Sequence, residues 1–340
     1  MRLRKSVVDG PGFRRLHRGR GFSYVSTAAD ARDSVDTETL TRIEALVIPP
    51  AWKKVWICPY PNGHIQAVGT DAAGRRQYIY HERWRAERSE EKYDRAVSLA
   101  SHLPDWRLHL LTDLRGRGLG RDRVLALAQH LIDQGYFRAG GEEYAQENGS
   151  FGLATLLRDH VHVHRDSVEF DYPAKSGVRR TVSLEDPLVI RAVRSLLRAE
   201  TTTPRLLAYR TSGGWSEVHA DDLNDRFRQL VGDEFSVKDL RTWHGTVLAA
   251  EAFAIAREPT SKTARRREEA AVMRAVADEL GNTPAVARRS YVDPRVITGY
   301  EQGITIAPAL RRIKRQRTPE AKRETIERAT VRMIKRVAKS

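Results

Sequence analysis

The sequence predicts an α+β protein with a small β-rich N-terminal domain and a larger, mainly α-helical domain that contains an inserted three-stranded β meander. Short apolar runs alternate with turn signals over the first ~85 residues, and helical periodicity dominates from about Ser89 onward. Three strand-like segments interrupt that periodicity: His160–His164, Val168–Tyr172 and Val178–Leu184. The predicted domains are residues 1–88, residues 89–300 and a basic C-terminal helical tail, 301–340.

The N-terminal domain is predicted from apolar runs that are too short for helices and are separated by turn residues. The turns contain Pro59-Tyr60-Pro61-Asn62-Gly63 and Asp71-Ala72-Ala73-Gly74. One helix is expected near Asp36–Leu46. The candidate strands are Gly21–Val25, Lys54–Cys58, His64–Val68 and Gln77–Tyr80.

The second domain is predicted from apolar residues that recur with helical spacing. The candidate helices are Glu90–Leu103, Arg121–Gln134, Asp186–Ala199, Ala220–Val231, Val237–Ala256 and Thr263–Leu280, and Gly116–Gly120 is expected to be a loop between helices. The tail should form one more helix, Thr318–Lys339, because Thr318 can cap it and Pro319 suits its first turn. Its apolar stripe would be Ile326, Thr330, Met333 and Val337.

The charge of the chain points to a polyanionic partner. The 340 residues contain 59 lysines and arginines against 44 acidic residues, a formal charge of +15. Residues 301–340 alone carry 12 basic residues against 4 glutamates, a net charge of +8. A pI near 10 is typical of nucleic-acid-binding proteins.

Several classes of protein are excluded or disfavoured. The single cysteine, Cys58, rules out an intramolecular disulfide framework and a four-cysteine zinc site. No run approaches a membrane span, and the N-terminus lacks the apolar core of a signal peptide, so we expect a cytoplasmic, nucleoid-associated protein without membrane contact.

No cofactor or metal is predicted. There is no GxxxxGK[ST] phosphate loop, no HExxH motif and no carboxylate cluster. His160, His162 and His164 alternate along one candidate strand, but such a row is more often a polar sheet face than a metal site.

Two short segments have the residue types for phosphate chemistry. Lys238 and Arg241 lie three residues apart near the start of a helix that Ser236 can cap, and a helix N-terminus favours anions. Tyr291 follows a helix that Thr283 and Pro284 begin, and tyrosine can act as a covalent nucleophile. Each pattern alone is ordinary, since basic residues usually face solvent and such a tyrosine usually packs.

Together these segments resemble the type IB DNA topoisomerases, in their poxvirus and bacterial branch. Lys238-Asp239-Leu240-Arg241-Thr242 resembles the central arginine motif, and residues 280–291 (LGNTPAVARRSY) resemble the nucleophile segment. Residues 136–140 (YFRAG) resemble the first arginine motif, 152–156 (GLATL) a following motif, and 170–176 (FDYPAKS) the lysine-bearing hairpin loop. Residues 74–80 (GRRQYIY) resemble the family's DNA-reading strand. The resemblance covers roughly residues 20 to 295.

The resemblance implies both a fold and a reaction. The helical domain would have the catalytic fold shared by tyrosine recombinases and type IB topoisomerases. Supercoiled DNA would be relaxed through a 3′-phosphotyrosyl intermediate, without ATP or metal, by a monomer that clamps around duplex DNA. Lys175 would be the general acid, and Lys238 would add a phosphate contact, relay a proton or be a simple surface charge. The implied catalytic residues are Tyr291, Arg138, Lys175, Arg241, Asn282 and Lys238, and the implied DNA-binding residues are Arg75, Gln77, Tyr78, Tyr80 and Tyr144.

Asn282 departs from the family pattern, because most relatives have histidine there. An amide can donate the same hydrogen bond to a phosphate oxygen but cannot carry charge.

Two alternatives remain open at this stage. A tyrosine recombinase or integrase shares the catalytic set, but it usually has histidine where this chain has Lys238 and usually carries a helical N-terminal domain. A non-enzymatic DNA- or RNA-binding protein would explain the charge, but not the joint presence of Arg138, Lys175, Arg241 and Tyr291.

Overall fold

The computed structural model describes residues 2–28, 35–142, 145, 149–256 and 261–340. The chain forms two compact units, Met1–Lys92 and Tyr93–Ser340, and the division falls inside one long helix, Glu82–Leu99. Residue 88, the end of the first predicted domain, lies in the same helix. Residues 301–340 pack within the second unit. In the described ranges, no helix is both long enough and apolar enough to cross a bilayer.

The first unit is a five-stranded antiparallel sheet with the strand order β2-β1-β3-β4-β5. Its core contains Ile43, Val55, Ile57 and Ala67. The strands are β1 (Phe13–Arg18), β2 (Gly21–Ser26), β3 (Lys53–Ile57), β4 (Ile65–Thr70) and β5 (Arg76–Tyr80), with helix α1 (Thr37–Ala45) between β2 and β3. The sequence analysis missed β1, because its arginines hide the alternation of a strand; pairing along its whole length with β2 holds it in the sheet.

The second unit contains a continuous hydrophobic core around large buried side chains, among them Trp106, Trp243, Phe137 and Phe227. Its helices follow α2 (Glu82–Leu99), which crosses the division between the units. They are α3 (Leu103–Arg115), α4 (Arg121–Gly135), α5 (Pro187–Arg198), α6 (Ala220–Val231), α7 (Val237–Ile255), α8 (Lys262–Leu280), α9 (Pro284–Ser290), α10 (Pro294–Glu301), α11 (Ala307–Ile313) and α12 (Pro319–Val337).

The predicted helix Glu90–Leu103 is wrong at both ends. Helix α2 begins earlier and ends at Leu99, and a separate helix, α3, begins at Leu103 with Pro104 in its first turn. Proline cannot continue a helix that is already formed, but it suits a helix start, so the chain breaks there. The other predicted helices agree with the structure to within one or two residues.

The inserted β meander is confirmed as β6 (Val161–Val163), β7 (Val168–Pro173) and β8 (Arg179–Leu184), with β7 in the middle. A 3₁₀ turn, Lys175–Gly177, joins β7 to β8. A second hairpin, β9 (Ala208–Thr211) and β10 (Gly214–Glu217), was not predicted.

The C-terminal helix is confirmed and is part of the core. Thr318 caps α12 through the bond from Ala321 N to its Oγ1, at 3.2 Å. The predicted stripe is buried: Ile326, Thr330, Met333 and Val337. This basic segment therefore has one face packed into the protein.

Candidate active site

The first arginine of the site lies just beyond the end of α4. The helix stops because Tyr136 takes the left-handed conformation, with φ at +51°. This turn leads the chain to Arg138, whose Nη2 donates to the carbonyl of Gly281 at 3.0 Å and to Oδ1 of Asn282. Two segments far apart in sequence are thus joined through one guanidinium.

The second arginine lies on the first turns of α7. Asp239 fixes the start of that helix, because its Oδ2 accepts from Ser236 N at 2.9 Å and its Oδ1 pairs with Arg95 at 2.9 Å. Arg241 points inward and is only 6% exposed. Its Nη1 donates to Tyr136 O at 2.6 Å, and its Nη2 donates to Leu280 O.

Lys238 does not share this environment. Its side chain is exposed, one turn before the buried Arg241. Their separation of three residues predicted that Lys238 and Arg241 share one face of α7. In the structure only the arginine faces the site.

Asn282 is presented by the end of α8. Gly281 takes the left-handed conformation, with φ at +58°, and Asn282 N bonds back to Ala277 O at 2.8 Å. This is the Schellman arrangement that commonly ends helices at glycine. Because Arg138 can only donate, Oδ1 of Asn282 must face it, and Nδ2 is left to face the other way.

Tyr291 follows the last residue of α9 and is held by backbone contacts. Its amide donates to Ala287 O at 2.9 Å, and its carbonyl lies 3.2 Å from the hydroxyl of Thr246 on α7. The Arg241 guanidinium lies over the Tyr291 ring, 5.2 Å from its centroid. A Cβ on Gly245 would lie 2.8 Å from Tyr291 Cβ, so only glycine permits this approach of α7.

Three buried donors around these residues lack a hydrogen-bond partner among the described residues. They are Nε of Arg241, Nδ2 of Asn282 and Nε of Arg180, a β8 residue. Buried polar groups are nearly always paired, so three unpaired donors near one another indicate a site for an absent acceptor. Their charge and number suit an anion with several oxygens.

The electrostatics also favour an anion. Burial and the nearby Arg138 and Arg180 together lower the pKa of Arg241 to about 10, against an opposing effect of Tyr291. Burial likewise lowers the pKa of Arg180. The guanidinium of Arg241 still remains protonated at neutral pH, and the mutual repulsion of the arginines would be relieved by a bound anion.

Lys175 lies in the exposed 3₁₀ turn between β7 and β8. The turn closes the hairpin on which Tyr172 of β7 is opposite Arg180 of β8. Burial raises the pKa of Tyr172, and Arg180, Arg241 and Arg138 oppose that rise. The lysine is therefore carried by the same hairpin that borders the site.

In the N-terminal unit, Asp71 contacts two of the side chains proposed to read DNA, Arg75 and Gln77. Its Oδ2 accepts from Arg75 Nε at 3.0 Å and from Gln77 Nε2 at 2.9 Å. Tyr78 and Tyr80 stack on one face of β5, with their centroids 5.8 Å apart, and Tyr78 is 39% exposed. Tyr144 lies outside the described residues.

Arg180 is the site residue that the sequence analysis missed. Along β8, Arg180, Val182 and Leu184 share the partly buried face, while Arg179 faces solvent. The apolar alternation of Val182 and Leu184 was the available signal, because it places Arg180 on the inward face.

The histidine row does not form a metal site. His160 packs edge-on against Phe151, with ring centroids 4.6 Å apart. Over the described part of the chain, no three His, Cys, Asp or Glu side chains are grouped as metal binding would require.

Comparison with known proteins places this geometry in a family. Residues 81–330 match the family model described as eukaryotic DNA topoisomerase I, catalytic core, and residues 21–71 match bacterial DNA topoisomerase IB, N-terminal domain. The chain therefore belongs to the type IB DNA topoisomerases, isomerases that act on DNA. The match extends through most of α12, beyond the region covered by the sequence motifs.

Individual relatives agree. The DNA topoisomerase 1B of Acanthamoeba polyphaga mimivirus is 29% identical over 280 residues, which are 80% of this chain and 83% of the viral protein. DNA topoisomerase 1 alpha of Arabidopsis thaliana is 25% identical over 164 residues, 48% of this chain but 17% of the plant protein.

Proposed function

We propose that Tyr291 is the nucleophile in the relaxation of supercoiled DNA by single-strand cleavage, strand rotation and religation, a reaction that needs neither ATP nor metal. The phenolic oxygen attacks a phosphodiester and forms a P–O bond, while the bond from phosphorus to the 5′ oxygen breaks. The products are a 3′-phosphotyrosine and a strand with a free 5′-hydroxyl. Attack by that hydroxyl reverses the reaction after the strand has rotated, so the bond energy is conserved.

The observation that carries this proposal is the group of donors on Arg241, Asn282 and Arg180 that have no partner among the described residues, together with the position of Arg241 over the Tyr291 ring. Arg138 and Arg241 supply fixed positive charge to the non-bridging oxygens, where negative charge grows in the pentacoordinate transition state. Asn282 Nδ2 adds a neutral donor. Guanidinium groups stay charged throughout, so they can do the electrostatic work that metal ions do in other phosphoryl transfers.

Lys175 completes the proposed chemistry as the general acid for the leaving 5′ oxygen. Its exposed turn on the β7–β8 hairpin would meet the DNA directly. Lys238, exposed on α7, is assigned a phosphate contact outside the reacting centre. The β5 side chains would contact DNA from the N-terminal unit, and the protein would act in the cytoplasm as a monomer that clamps the duplex.

The nucleophile is tested with supercoiled plasmid, EDTA and no ATP. The wild type should relax the plasmid and Tyr291→Phe should not, whereas Tyr300→Phe, which removes the hydroxyl of a tyrosine on α10, should retain activity. Relaxation by Tyr291→Phe would remove Tyr291 from the mechanism. An inactive wild type that still binds DNA would favour a binding protein or a recombinase that needs its own site.

The general acid is tested with a duplex in which sulfur replaces the bridging 5′ oxygen at the cleaved bond. Lys175→Met should slow single-turnover cleavage of the oxygen substrate by about 10²–10⁴-fold, the usual contribution of acid catalysis. A thiolate leaves without protonation, so the same variant should cleave the sulfur substrate at nearly the wild-type rate. An equal defect on both substrates would contradict the assignment.

A further inference from the structure

Arg180 connects the ends of two helices that carry active-site residues. Its Nη2 donates to Gly135 O, at the end of α4, at 3.0 Å and to Glu279 O, near the end of α8, at 2.9 Å. The last carbonyls of a helix have no partner within the helix, and a cation there is also favoured by the helix dipole.

Arg241 bonds to the next carbonyl of each turn. It donates to Tyr136 O, which follows Gly135, and to Leu280 O, which follows Glu279. Two guanidinium groups from different elements therefore hold the same pair of turns. Arg241 is assigned to the phosphate, and Arg180 is assigned to the clamp because its Nη2 alone contacts a carbonyl of each turn.

The two turns set the positions of the other phosphate-binding groups. Arg138 follows the α4 turn, and Asn282 follows the α8 turn. Gly281 is packed against Arg180, since a Cβ there would collide with Nη1. A shift of either turn would move the donors relative to Tyr291, and displacements of about 1 Å can cost about 10²-fold in rate.

We propose that Arg180 is a positioning residue, which fixes the spacing of the α4 and α8 turns so that Arg138, Arg241 and Asn282 converge on one phosphate. This inference rests on the proposed function. A second effect follows from its charge, because a third, partly buried guanidinium beside Arg138 and Arg241 raises the affinity of the site for the transition-state anion.

The neighbouring residue Arg179 provides a matched control. It lies on the opposite face of β8, its side chain is 79% exposed, and it pairs with Asp171. Arg180→Met and Arg179→Met remove the same charge from adjacent positions. Arg180→Lys retains the charge but cannot reproduce the planar fork of donors.

The test measures single-turnover cleavage and religation on a suicide duplex, together with non-covalent DNA affinity. Arg180→Met should slow cleavage and religation by about 10²-fold at saturating enzyme, with DNA affinity within threefold of wild type. Arg180→Lys should cleave and religate about tenfold faster than Arg180→Met. Arg179→Met should cleave within threefold of wild type, and thermal unfolding of each variant identifies any loss of folded protein.

The bridging-sulfur substrate separates positioning from acid catalysis. Arg180→Met should cleave the sulfur substrate as slowly, relative to wild type, as it cleaves the oxygen substrate. The non-bridging phosphate oxygens of both substrates still require the same donors. Equal rates for Arg180→Met and Arg179→Met, a defect confined to DNA affinity, or rescue by sulfur would each overturn the inference. If Arg180→Met does not fold, the cleavage rates of Arg180→Lys and Arg179→Lys are compared instead. Equal rates of these two variants would overturn the inference.

Failure of the proposed function is distinguishable from failure of this inference. An inactive wild type, or an active Tyr291→Phe variant, would contradict the reaction itself. An active wild type with an inactive Tyr291→Phe variant and a fully active Arg180→Met variant would contradict only the role of Arg180.

Discussion

At the scale of single residues, Asn282 uses the two ends of one amide for different tasks. Its Oδ1 accepts from Arg138, and its buried Nδ2 has no acceptor among the residues that the structure describes. A histidine in place of Asn282 could also donate, but an imidazole titrates near neutral pH. The amide supplies a donor whose availability does not depend on pH.

Variants at Asn282 should separate the effect of a hydrogen-bond donor from the effect of charge at this position. Asn282→Ala should slow cleavage by about 10²–10³-fold, as for loss of one donor to a transition-state oxyanion. Asn282→Asp should be slower still, because it places negative charge beside the phosphate. Asn282→His should stay active, and its rate relative to wild type should rise from pH 8 to pH 6 as the imidazole gains a proton. Wild-type-like cleavage by Asn282→Ala would contradict this role.

Fast cleavage should require glycine at position 245, because this residue packs directly against Tyr291. Gly245→Ala would place a methyl group 2.8 Å from Tyr291 Cβ and 2.9 Å from its carbonyl oxygen. We expect overpacking of about 1–3 kcal/mol and cleavage about 10²-fold slower, measured in single-turnover reactions and by thermal unfolding.

Gly299→Ala is the control for Gly245→Ala. Its Cβ would lie 2.8 Å from Ile304 O, so it also overpacks, but at α10 rather than beside Tyr291. It should lose stability and keep its cleavage rate. Equal cleavage by the two variants would show that the packing of α7 does not position Tyr291.

At the scale of elements, α12 is joined to the catalytic helices by a buried ionic network. Asp133 on α4 has no exposed side-chain surface, and its carboxylate pairs with Arg323 at 2.7 Å and Arg107 at 2.9 Å. Glu327 on α12 pairs with Arg107 at 2.7 Å. The same aspartate lies 3.1 Å from His244, which is three residues beyond Arg241 on α7.

Loss of Arg323 should therefore destabilise the protein strongly. Arg323→Met leaves a buried carboxylate without one of its cations, and breaking such a pair typically costs about 3–5 kcal/mol. Arg328→Met removes the exposed partner of Glu324 on the same helix, and we expect about 0–1 kcal/mol. Denaturant unfolding measures both, and similar losses would mean that the network is not what anchors α12.

His244 should make stability depend on pH. Burial lowers its pKa in the folded protein, Asp133 raises it, and Arg323 and Arg107 lower it, with a net lowering. The unfolded chain then binds more protons below its histidine pKa of about 6.5, so the free energy of unfolding falls as pH falls through that value.

The histidine contribution is isolated by substitution. Between pH 7.5 and pH 5.5, the free energy of unfolding of His244→Gln should fall less than that of the wild type. The exposed His162→Gln should behave like wild type. A His244→Gln variant with the full wild-type loss would assign the acid sensitivity to other groups.

At the scale of the whole molecule, the charge of +15 should govern DNA affinity. Contacts between basic side chains and phosphates release counterions, so binding weakens steeply with salt. Tyr291→Phe, which cannot form the covalent intermediate, should lose at least about tenfold in affinity between 50 and 200 mM salt. Fluorescence anisotropy with two duplexes of unrelated sequence should give similar slopes, whereas a shallow slope would argue against phosphate-dominated binding.

The sequence by itself determined most elements of the fold. Periodicity and caps predicted α4, α6 and α7 nearly to the residue, because their apolar spacing agrees with their local start and stop signals. The same approach extended α2 to Leu103, where α3 begins, and did not predict α3. It also missed β1 and the β9–β10 hairpin, whose short or arginine-rich strands show little alternation. The candidate nucleophile and two arginines also came from the sequence, through motifs.

Only the tertiary structure decided which cations face the site. Lys238 and Arg241 are close in sequence, yet one is exposed and the other buried, and of the adjacent Arg179 and Arg180 one is exposed and the other partly buried. Arg180 bonds to residues 45 and 99 positions away, and Arg323 to one 190 positions away. Such contacts depend on where distant helices end, and no local pattern encodes that distance. The physical reason is that sequence periodicity depends only on the helix or strand to which a residue belongs. The partner of a buried charge depends on how distant elements pack together.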